Sequence, residues 1–494
     1  MIGSRLAVVN APDDAVVLAP PPPGEAVADV AAAVRDALRF PLAGEPAETL
    51  VVPGGRATIV VEHPSLPLLG STADPRQEAL AAAVEELERL GVPGERQTLL
   101  VTGGLTRRAR QRDLERLVTP ELARRFRGRV EIHDVEDPTL VEIGETAGVP
   151  LRVNPKLLEA DVVLVVSAAE TVLDGGPAAL VAAGGPEALR ASGADSLLEA
   201  SAAPGWEIAV ALEAALSKRV PLVGISLALH HPTLKGALRG FPYEREAVER
   251  VSSSPLRALF RMLPAPARRR VLHALPLELT ASAAYAGPPS VAHTEALLQA
   301  VEARSVNLDA PLDALCIPVP GTTPHLPRER PNPLLAAYLA LGLALRLWRG
   351  AFPIVDGGTA ILLHRFHRRF AHGTQQPYRA FFRASRSGLD AERLAETERF
   401  AARDEHALDA YRSGRSCHPV LPYADWEGCA PAISRLGAVL VAGCRDSAAA
   451  RQLGFVPTHG LGAALEMARG RAGGDARIGF LLAPPYFPLI GGTA

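Results

Sequence analysis

Apolar and polar positions alternate along the chain in blocks whose spacing predicts strands and helices in regular succession. Residues 57–62 (ATIVVE), 98–104 (TLLVTGG) and 160–167 (ADVVLVVS) are short apolar runs bounded by turn-forming residues, which favours buried strands. The segment 75–90 between the first two carries its apolar residues at helical spacing. Strands that alternate with helices are typical of a parallel sheet with helices on both faces.

A second alternating region begins near residue 308. It includes a long apolar segment, 332–348, which predicts one buried helix, and it ends in the strand-like run ARIGFLLAPP. Residues 232–290 are rich in arginine and proline and predict short amphipathic helices, so they are interpreted as an insertion or connecting segment. The predicted fold class is α/β, with two Rossmann-like domains, residues 1–305 and 306–494, and a cleft between them.

Composition narrows the range of functions. The 494 residues carry a formal net charge of −2, so no basic excess indicates a nucleic-acid partner. The longest apolar run, 334–348, contains Arg346 and falls short of the ~20 residues that span a bilayer, so no membrane partner is expected. None of the four cysteines forms a C-x-x-C pair, and no signal-like segment opens the chain. These features predict a cytoplasmic protein, and they do not predict its oligomeric state.

Several fragments together carry a resemblance to one family. The fragments are ALRFPLAGEPAETLVVPGGRATIVVEHPSLP (37–67), LGVPGERQTLLVTGG (90–104), VEIHDVEDPTLVEIGETAGVPLRVNPKLLEADVVLVVS (130–167) and LGAVLVAGCRDSAAARQLGFVPTHGLGAALEMARGRAGGDARIGFLLAPP (436–485). Their order and spacing along the chain are similar to those in the family. The chain resembles the nickel-pincer lactate racemases. The resemblance implies a lactate-racemase-like scaffold and an activity that racemises or epimerises 2-hydroxy acids. In that family, nickel sits in a pincer cofactor tethered to a lysine and is bound by a histidine. Two further histidines act as acid and base, and an arginine binds the substrate carboxylate.

The chain departs from the family at each of these positions. The family's tethering lysine aligns with a run that here contains Glu187 and no lysine. The two acid–base histidines align with Leu105 and with residues 170–173, which contain no histidine. The metal-binding histidine aligns within 190–205, where no histidine occurs, and the carboxylate-binding arginine aligns with His63. The chain has only three lysines, Lys156, Lys218 and Lys235, beside 49 arginines. A tether needs a primary amine that arginine cannot supply, so a covalent nickel-pincer cofactor is not expected, and any cofactor stays unknown.

Loops that follow the strands supply the candidate site, because ligands of parallel sheets bind outside the carboxyl ends of the strands. The predicted catalytic residues are His63, His230 and His325, since histidine titrates near neutral pH. Each has a structural alternative: His63 as a turn residue before proline, His230 as a packed neighbour of His231, and His325 as part of a salt-bridged loop.

The predicted substrate-binding residues lie in two of these loops. Gly103, Gly104, Thr106 and Arg107 follow strand 98–101, where backbone N–H groups can cradle an anion, although a plain tight turn is equally compatible with the Gly-Gly pair. Arg328 follows a strand of the second domain and could pair with a carboxylate. No cofactor-binding or metal-binding residue is predicted.

Two functions remain open. One is a diverged isomerase-type enzyme that acts on a small 2-hydroxy acid or a similar anionic metabolite in the cleft. The other is a non-catalytic homologue that binds a metabolite or a protein through the same cleft.

Overall fold

The computed structural model describes residues 3, 11–67, 73–115, 117–324, 330–370 and 373–492. Its strands are, in chain order, β1 (Val16–Leu18), β2 (Ala57–Glu62), β3 (Gln97–Thr102), β4 (Arg129–Ile132), β5 (Val141–Thr146), β6 (Val149–Val153), β7 (Val162–Ala168), β8 (Leu222–Leu229), β9 (Thr233–Leu234), β10 (Leu277–Glu278), β11 (Ala281–Gly287), β12 (Val306–Leu308), β13 (Leu312–Pro318), β14 (Trp348–Arg349), β15 (Ile354–Leu363), β16 (Ala438–Ala442), β17 (Val456–Thr458), β18 (Ile478–Leu481) and β19 (Leu489–Gly491).

The α-helices are, in chain order, α1 (Val30–Arg39), α2 (Ala47–Leu50), α3 (Pro75–Arg89), α4 (Gln111–Leu114), α5 (Pro120–Arg125), α6 (Pro155–Leu158), α7 (Ala178–Val181), α8 (Pro186–Ala191), α9 (Pro204–Ser217), α10 (Arg245–Ser253), α11 (Leu256–Met262), α12 (Ala265–His273), α13 (Pro289–Arg304), α14 (Pro333–Ala337), α15 (Gln376–Ala384), α16 (Ala391–Ala401), α17 (Glu405–Arg412), α18 (Leu421–Ile433), α19 (Ser447–Gln452) and α20 (Leu461–Ala472).

The first sheet has the strand order β4-β3-β2-β7-β8-β11. All neighbouring strands are parallel except β11, which runs antiparallel to β8. Its central strands read as continuous apolar runs because helices cover both faces, and Ile59 and Val60 on successive faces of β2 are fully buried. The chain leaves β2 toward β3 and later returns to β7 on its other side. This reversal opens a crevice at the carboxyl ends of β2 and β7.

The second sheet is parallel throughout, with the order β1-β18-β13-β15-β16-β17. The α/β fold class with two sheets is therefore confirmed. Strand β1, from the beginning of the chain, pairs with β18 near its end. The predicted first domain, 1–305, thus contributes a strand to the second sheet, and the boundary at 305 stays a prediction.

Three predicted elements differ from the structure. The charged segment 107–126 predicts one helix, but it forms two short helices, α4 and α5, because Pro120 begins a new helix behind its cap, Thr119. The apolar run LRVN at 151–154 predicts a single strand, but the structure has a hairpin of β5 and β6 in this region. In contrast, the insertion 232–290 does contain the short helices α10, α11 and α12.

The predicted helix 332–348 is the third difference, and it bears on the site. Only α14 is α-helical; Tyr338–Leu343 then form a π-helix, and Ala344–Arg346 a 3₁₀ turn. Gly342 lies in the π-helix, and a Cβ atom there would be 2.5 Å from the ring of Tyr338 and 3.3 Å from the backbone of Gly428 in α18. The π-helix therefore packs closely against α18. Such segments occur frequently at functional sites.

None of the helices in the described part of the chain combines the length and the apolar character that a bilayer crossing requires.

Candidate functional site

A cavity of about 790 Å³ lies between the two domains. The first domain lines it with the loops that follow β2, β3 and β7 and with the segment around α8. The second domain lines it with the π-helix and α18. The residues that line the cavity include Glu62, His63, Gly103, Gly104, Thr106, Asp174, Arg190, Gly193, Asp195, Tyr338, Arg346, Asp425 and Glu427. The cavity thus occupies the crevice that the reversal of strand order opens.

Four predicted site residues line this cavity: His63, Gly103, Gly104 and Thr106. Gly104 has a φ of 49°, a left-handed conformation that favours glycine. Thr106 closes the turn, since its backbone N–H and its hydroxyl both donate to the carbonyl of Gly103, at 3.0 and 2.7 Å. The Gly-Gly pair therefore forms a rigid turn at the cavity wall.

Arg107, which was predicted to bind substrate, is not among the residues that line the cavity. Its side chain is 2 % exposed and forms a salt bridge of 2.7 Å with Asp113. Its guanidinium also donates to the carbonyls of Arg108 and Gly414. With these bonds, Arg107 holds the segment before α4 and is a structural residue.

His230 is also remote from the cavity lining. It contributes instead to a small separate pocket together with His231 and Arg304. Its Nδ1 pairs with the hydroxyl of Thr280 at 2.9 Å, and burial lowers its pKa, with the charge of Arg304 acting in the same direction. The structure therefore places His230 outside the lining of the large cavity, and its catalytic role stays a prediction. His325 and Arg328 lie outside the described residues.

Glu62, the last residue of β2, is the most perturbed acid at the cavity. Its pKa is raised from 4.5 to about 8; burial is the largest cause, the charges of Asp174 and Glu170 act in the same direction, and Arg76 and the backbone N–H of Gly175 act in the opposite direction. Asp174 lines the same cavity. Glu62 is thus largely protonated at neutral pH, beside a second carboxyl group.

The loop 171–176 presents Asp174 and the N–H of Gly175 to Glu62. The hydroxyl of Thr171 donates to Asp174 at 2.7 Å, which fixes the orientation of that carboxylate. A Cβ atom at Gly176 would lie 2.4 Å from the Cβ of His293, a fully buried residue of α13 whose Nε2 pairs with the carbonyl of Thr171 at 2.9 Å. Only glycine allows the loop to pack this closely on α13.

Glu170 fixes the other side of the crevice. Its carboxylate accepts hydrogen bonds from the backbone N–H and the hydroxyl of Ser65, both at 2.8 Å, and it forms an ion pair of 3.4 Å with Arg76. Arg76 forms a second, shorter ion pair with Asp74, the N-cap of α3. The loop that carries His63 is therefore tied to the end of β7.

The second domain faces these acids with Tyr338, Asp425 and Arg346. The hydroxyl of Tyr378 donates to Asp425 at 2.5 Å. Burial raises the pKa of Tyr338, and the nearby charges of Asp425 and Asp174 raise it further, so this phenol stays protonated and can donate a hydrogen bond. Acidic groups of both domains therefore approach Tyr338.

Arg346 bridges the two domains. It is 4 % exposed, and its guanidinium donates to the carbonyls of Ala194 and Asp195 in the first domain and of Gly342 and Gly428 in the second. Burial lowers its pKa. No carboxylate of the described residues forms an ion pair with it, so carbonyl dipoles are its direct partners, and the charge of Asp195 acts on it from a greater distance.

Three other charged side chains at the cavity, Arg190, Glu427 and Asp195, form ion pairs across the cleft. Arg190 of α8 pairs with Glu398 and with Glu427 of α18, and Asp195 pairs with Arg435. Of the two arginines that line the described cavity, Arg190 has carboxylate partners and Arg346 has none among the described residues.

The lysines test whether the described residues fit a lysine-tethered cofactor. Lys156 pairs with Glu159, Lys235 pairs with Glu278, and Lys218 caps the end of α9. All three are described, and none lines the cavity. The described residues also contain no group of three or more His, Cys, Asp or Glu side chains placed to hold a metal ion. The site does not fit a nickel pincer tethered to lysine.

Comparisons with known proteins agree with the fold. Residues 3–171 match the family model of the lactate racemase N-terminal domain. The structure of the lactate racemase apoprotein from Thermoanaerobacterium thermosaccharolyticum aligns over 100 % of this chain and 99 % of its own, with a TM-score of 0.60 and 15 % identity. A structural-genomics protein from Thermotoga maritima aligns over 95 % of this chain and 99 % of its own, with a TM-score of 0.51 and 11 % identity. No curated protein matches the sequence.

Proposed function

Because the chain has the lactate-racemase-like fold and its residues 3–171 match the model of the lactate racemase N-terminal domain, we propose that it is an isomerase-type enzyme acting on a small anionic metabolite, such as a 2-hydroxy acid, in the interdomain cavity. The observation that carries the proposal is the cavity itself. It opens at the strand-order reversal and combines a buried cation, Arg346, with titratable groups on the opposite wall.

Charge defines the ligand further. A buried guanidinium without a carboxylate partner attracts an anion, because the low local dielectric strengthens their interaction. The neighbouring acids Asp174 and Asp425 disfavour a second negative charge on the ligand. We therefore expect a ligand with one carboxylate, rather than a phosphate ester or a dicarboxylate. Such a ligand would bind with its carboxylate toward Arg346.

Binding can be tested with a cavity-filling variant. Gly193 lines the cavity, and a Cβ atom there meets no other atom within 4 Å. Gly193→Phe should therefore fill the cavity without disturbing the fold, whereas Gly474→Phe, at a position that is also open, is the matched control. Calorimetric titration with lactate, glycerate and pyruvate, each beside its amide, should show binding of the acids to the wild type and to the control. Equal binding to Gly193→Phe would place the ligand elsewhere.

Turnover separates the enzyme from the alternative, a non-catalytic binding homologue. Enantiopure 2-hydroxy acids that bind are incubated with the protein, and the products are resolved by chiral chromatography. Inversion or isomerisation that Gly193→Phe abolishes supports the enzyme. Binding without any chemical change would support the alternative, which the loss of the family's lysine and histidines favours.

A further inference from the structure

We propose that Glu62 and Asp174, termed the carboxyl pair below, share one proton and transfer protons to and from the ligand in the cavity. This inference rests on the proposed function and names the chemistry of that site.

The geometry of the carboxyl pair comes from two neighbouring strands. Glu62 ends β2, and Asp174 lies in the loop that follows β7, the adjacent strand of the sheet. The backbone N–H of Gly175 donates to the Glu62 carboxyl group, so the residue next to Asp174 contacts Glu62 directly. Both carboxyl groups line the cavity. The negative charge of Asp174 therefore acts on Glu62 at close range and favours the protonated form of Glu62, which is the basis for assigning a shared proton to the carboxyl pair.

The charged groups around Glu62 favour its protonated form. Asp174 and Glu170 approach it from the end of β7. Arg76 approaches from α3, but its charge is divided between Asp74 and Glu170, with which it forms ion pairs. His63 is the next residue in the chain and lines the same cavity. Burial acts in the same direction as the two acids and raises the pKa of Glu62 to about 8. At neutral pH Glu62 therefore holds a proton that it can donate, and we assign the role of base to Asp174.

The chemistry of a carboxylate base limits the substrate. A carboxylate base removes a proton from carbon most readily where an adjacent ketone or aldehyde stabilises the resulting charge. The substrate class is then a small monoanion that carries a hydroxyl group beside a ketone or an aldehyde. Tyr338, protonated at all physiological pH values, can stabilise the enediolate oxygen by donating a hydrogen bond.

The proton transfer balances without an oxidant or a reductant. The ionised member of the carboxyl pair removes a proton from the carbon that bears the hydroxyl group, and the C–H electron pair becomes the C=C bond of an enediol. The carbonyl π electrons move to the carbonyl oxygen, which takes the proton from the O–H bond of the other member. Return of a proton to the neighbouring carbon, and loss of one from the other hydroxyl, gives the isomeric carbonyl compound.

The first test needs no ligand. Infrared difference spectra of the wild type against Glu62→Gln should show the C=O band of one protonated carboxyl group at neutral pH, lost as the pH rises through about 8. Asp174→Asn should lower the pKa at which this band disappears by about 1 unit or more, because it removes the facing negative charge. Absence of the band, or a band that Asp174→Asn leaves unmoved, would overturn the carboxyl pair while leaving the proposed function standing.

The second test follows the proton with hydroxypyruvate, the smallest anionic hydroxyketone, in D₂O. NMR should show deuterium entering the hydroxymethyl group, with a rate that falls about 100-fold or more in Glu62→Gln. Glu62→Asp should restore part of this rate, and Glu145→Gln, an exposed glutamate of the β5–β6 hairpin, should leave it unchanged. Exchange at the wild-type rate in Glu62→Gln, or bound hydroxypyruvate that does not exchange, overturns the role in proton transfer. Failure of all acids to bind would instead overturn the proposed function.

Discussion

Replacement of Glu62 by glutamine should stabilise the protein at alkaline pH. In the unfolded chain Glu62 ionises near its ordinary pKa of 4.5, whereas in the folded chain it stays protonated up to a pKa of about 8. Between these two values the unfolded state holds fewer protons than the folded state. The free energy of unfolding therefore falls as the pH rises from about 4.5 to about 8, and then levels off.

The size of this effect follows from the displacement of the pKa. One pKa unit corresponds to about 1.4 kcal/mol, so the change from 4.5 to about 8 converts to about 5 kcal/mol if none of it is screened. Glu62 is only half-buried, and solvent reaches the cavity, which weakens each interaction with its charge. We therefore expect Glu62→Gln to be about 2–3 kcal/mol more stable than the wild type above about pH 8, and nearly equal to it below about pH 5.

Urea denaturation followed by circular dichroism across this pH range measures the difference. The wild type and Glu62→Gln share every other titrating group, so subtracting their unfolding free energies isolates residue 62. Glu145→Gln, which is exposed, should give a difference near zero at each pH. A difference for Glu62→Gln that does not change with pH, or that favours the wild type as the pH rises, would refute the protonated state of Glu62.

Three further variants test the architecture around the cavity. Arg107→Met should destabilise the fold by about 3–5 kcal/mol in urea denaturation, because it leaves Asp113 buried without its partner, while the affinity for a cavity ligand stays unchanged. Gly176→Ala should cost about 2–4 kcal/mol and shift the Glu62 carboxyl band, since the new Cβ atom meets His293 and φ is 49°. Gly342→Ala should lower the thermal midpoint and cost about 1–3 kcal/mol by displacing Tyr338, whereas Gly470→Ala, in the open part of α20, should leave stability equal or slightly higher.

The strands of the first sheet could be predicted because burial on both faces leaves a direct trace in the sequence. β2 and β7 are continuous apolar runs between turns. The loops after β2 and β3 contain His63 and the Gly103-Gly104 turn, which line the cavity and whose roles stay predictions. The sequence does not show which strand lies beside which, so it could not indicate that the loop after β7 meets the end of β2.

The second domain's share of the site could not be predicted from periodicity. The segment 332–348 is apolar at nearly every position, so an α-helix and a π-helix leave the same hydrophobic pattern. The difference arises from the close contact of Gly342 with α18, which depends on tertiary packing. The arginine in that run was a usable signal. Arg346, a single charge in an otherwise apolar stretch, had to find polar partners, and it finds them as carbonyls of both domains.

Arg107 shows why residue type and loop position are weak evidence for binding. It follows the Gly-Gly turn immediately, where an arginine could reach an anion, yet Asp113 lies six residues further along the chain and takes the guanidinium. Asp174 shows the converse. Nothing in the sequence distinguished it from an ordinary turn aspartate before Gly175-Gly176, and its importance comes from Glu62, more than a hundred residues away.

The chain has three lysines, and none of them lines the described cavity, which limits the chemistry that this site can support. A cofactor tethered to lysine needs an amine at the cavity. Proton transfer needs only two groups whose pKa values differ because their surroundings differ. The described cavity lining has no lysine, but it contains one carboxyl group held protonated by burial and by a second, facing carboxylate. A scaffold that loses the amine can therefore still invert or move a C–H bond, provided that its substrate carries a carbonyl group to accept the electrons.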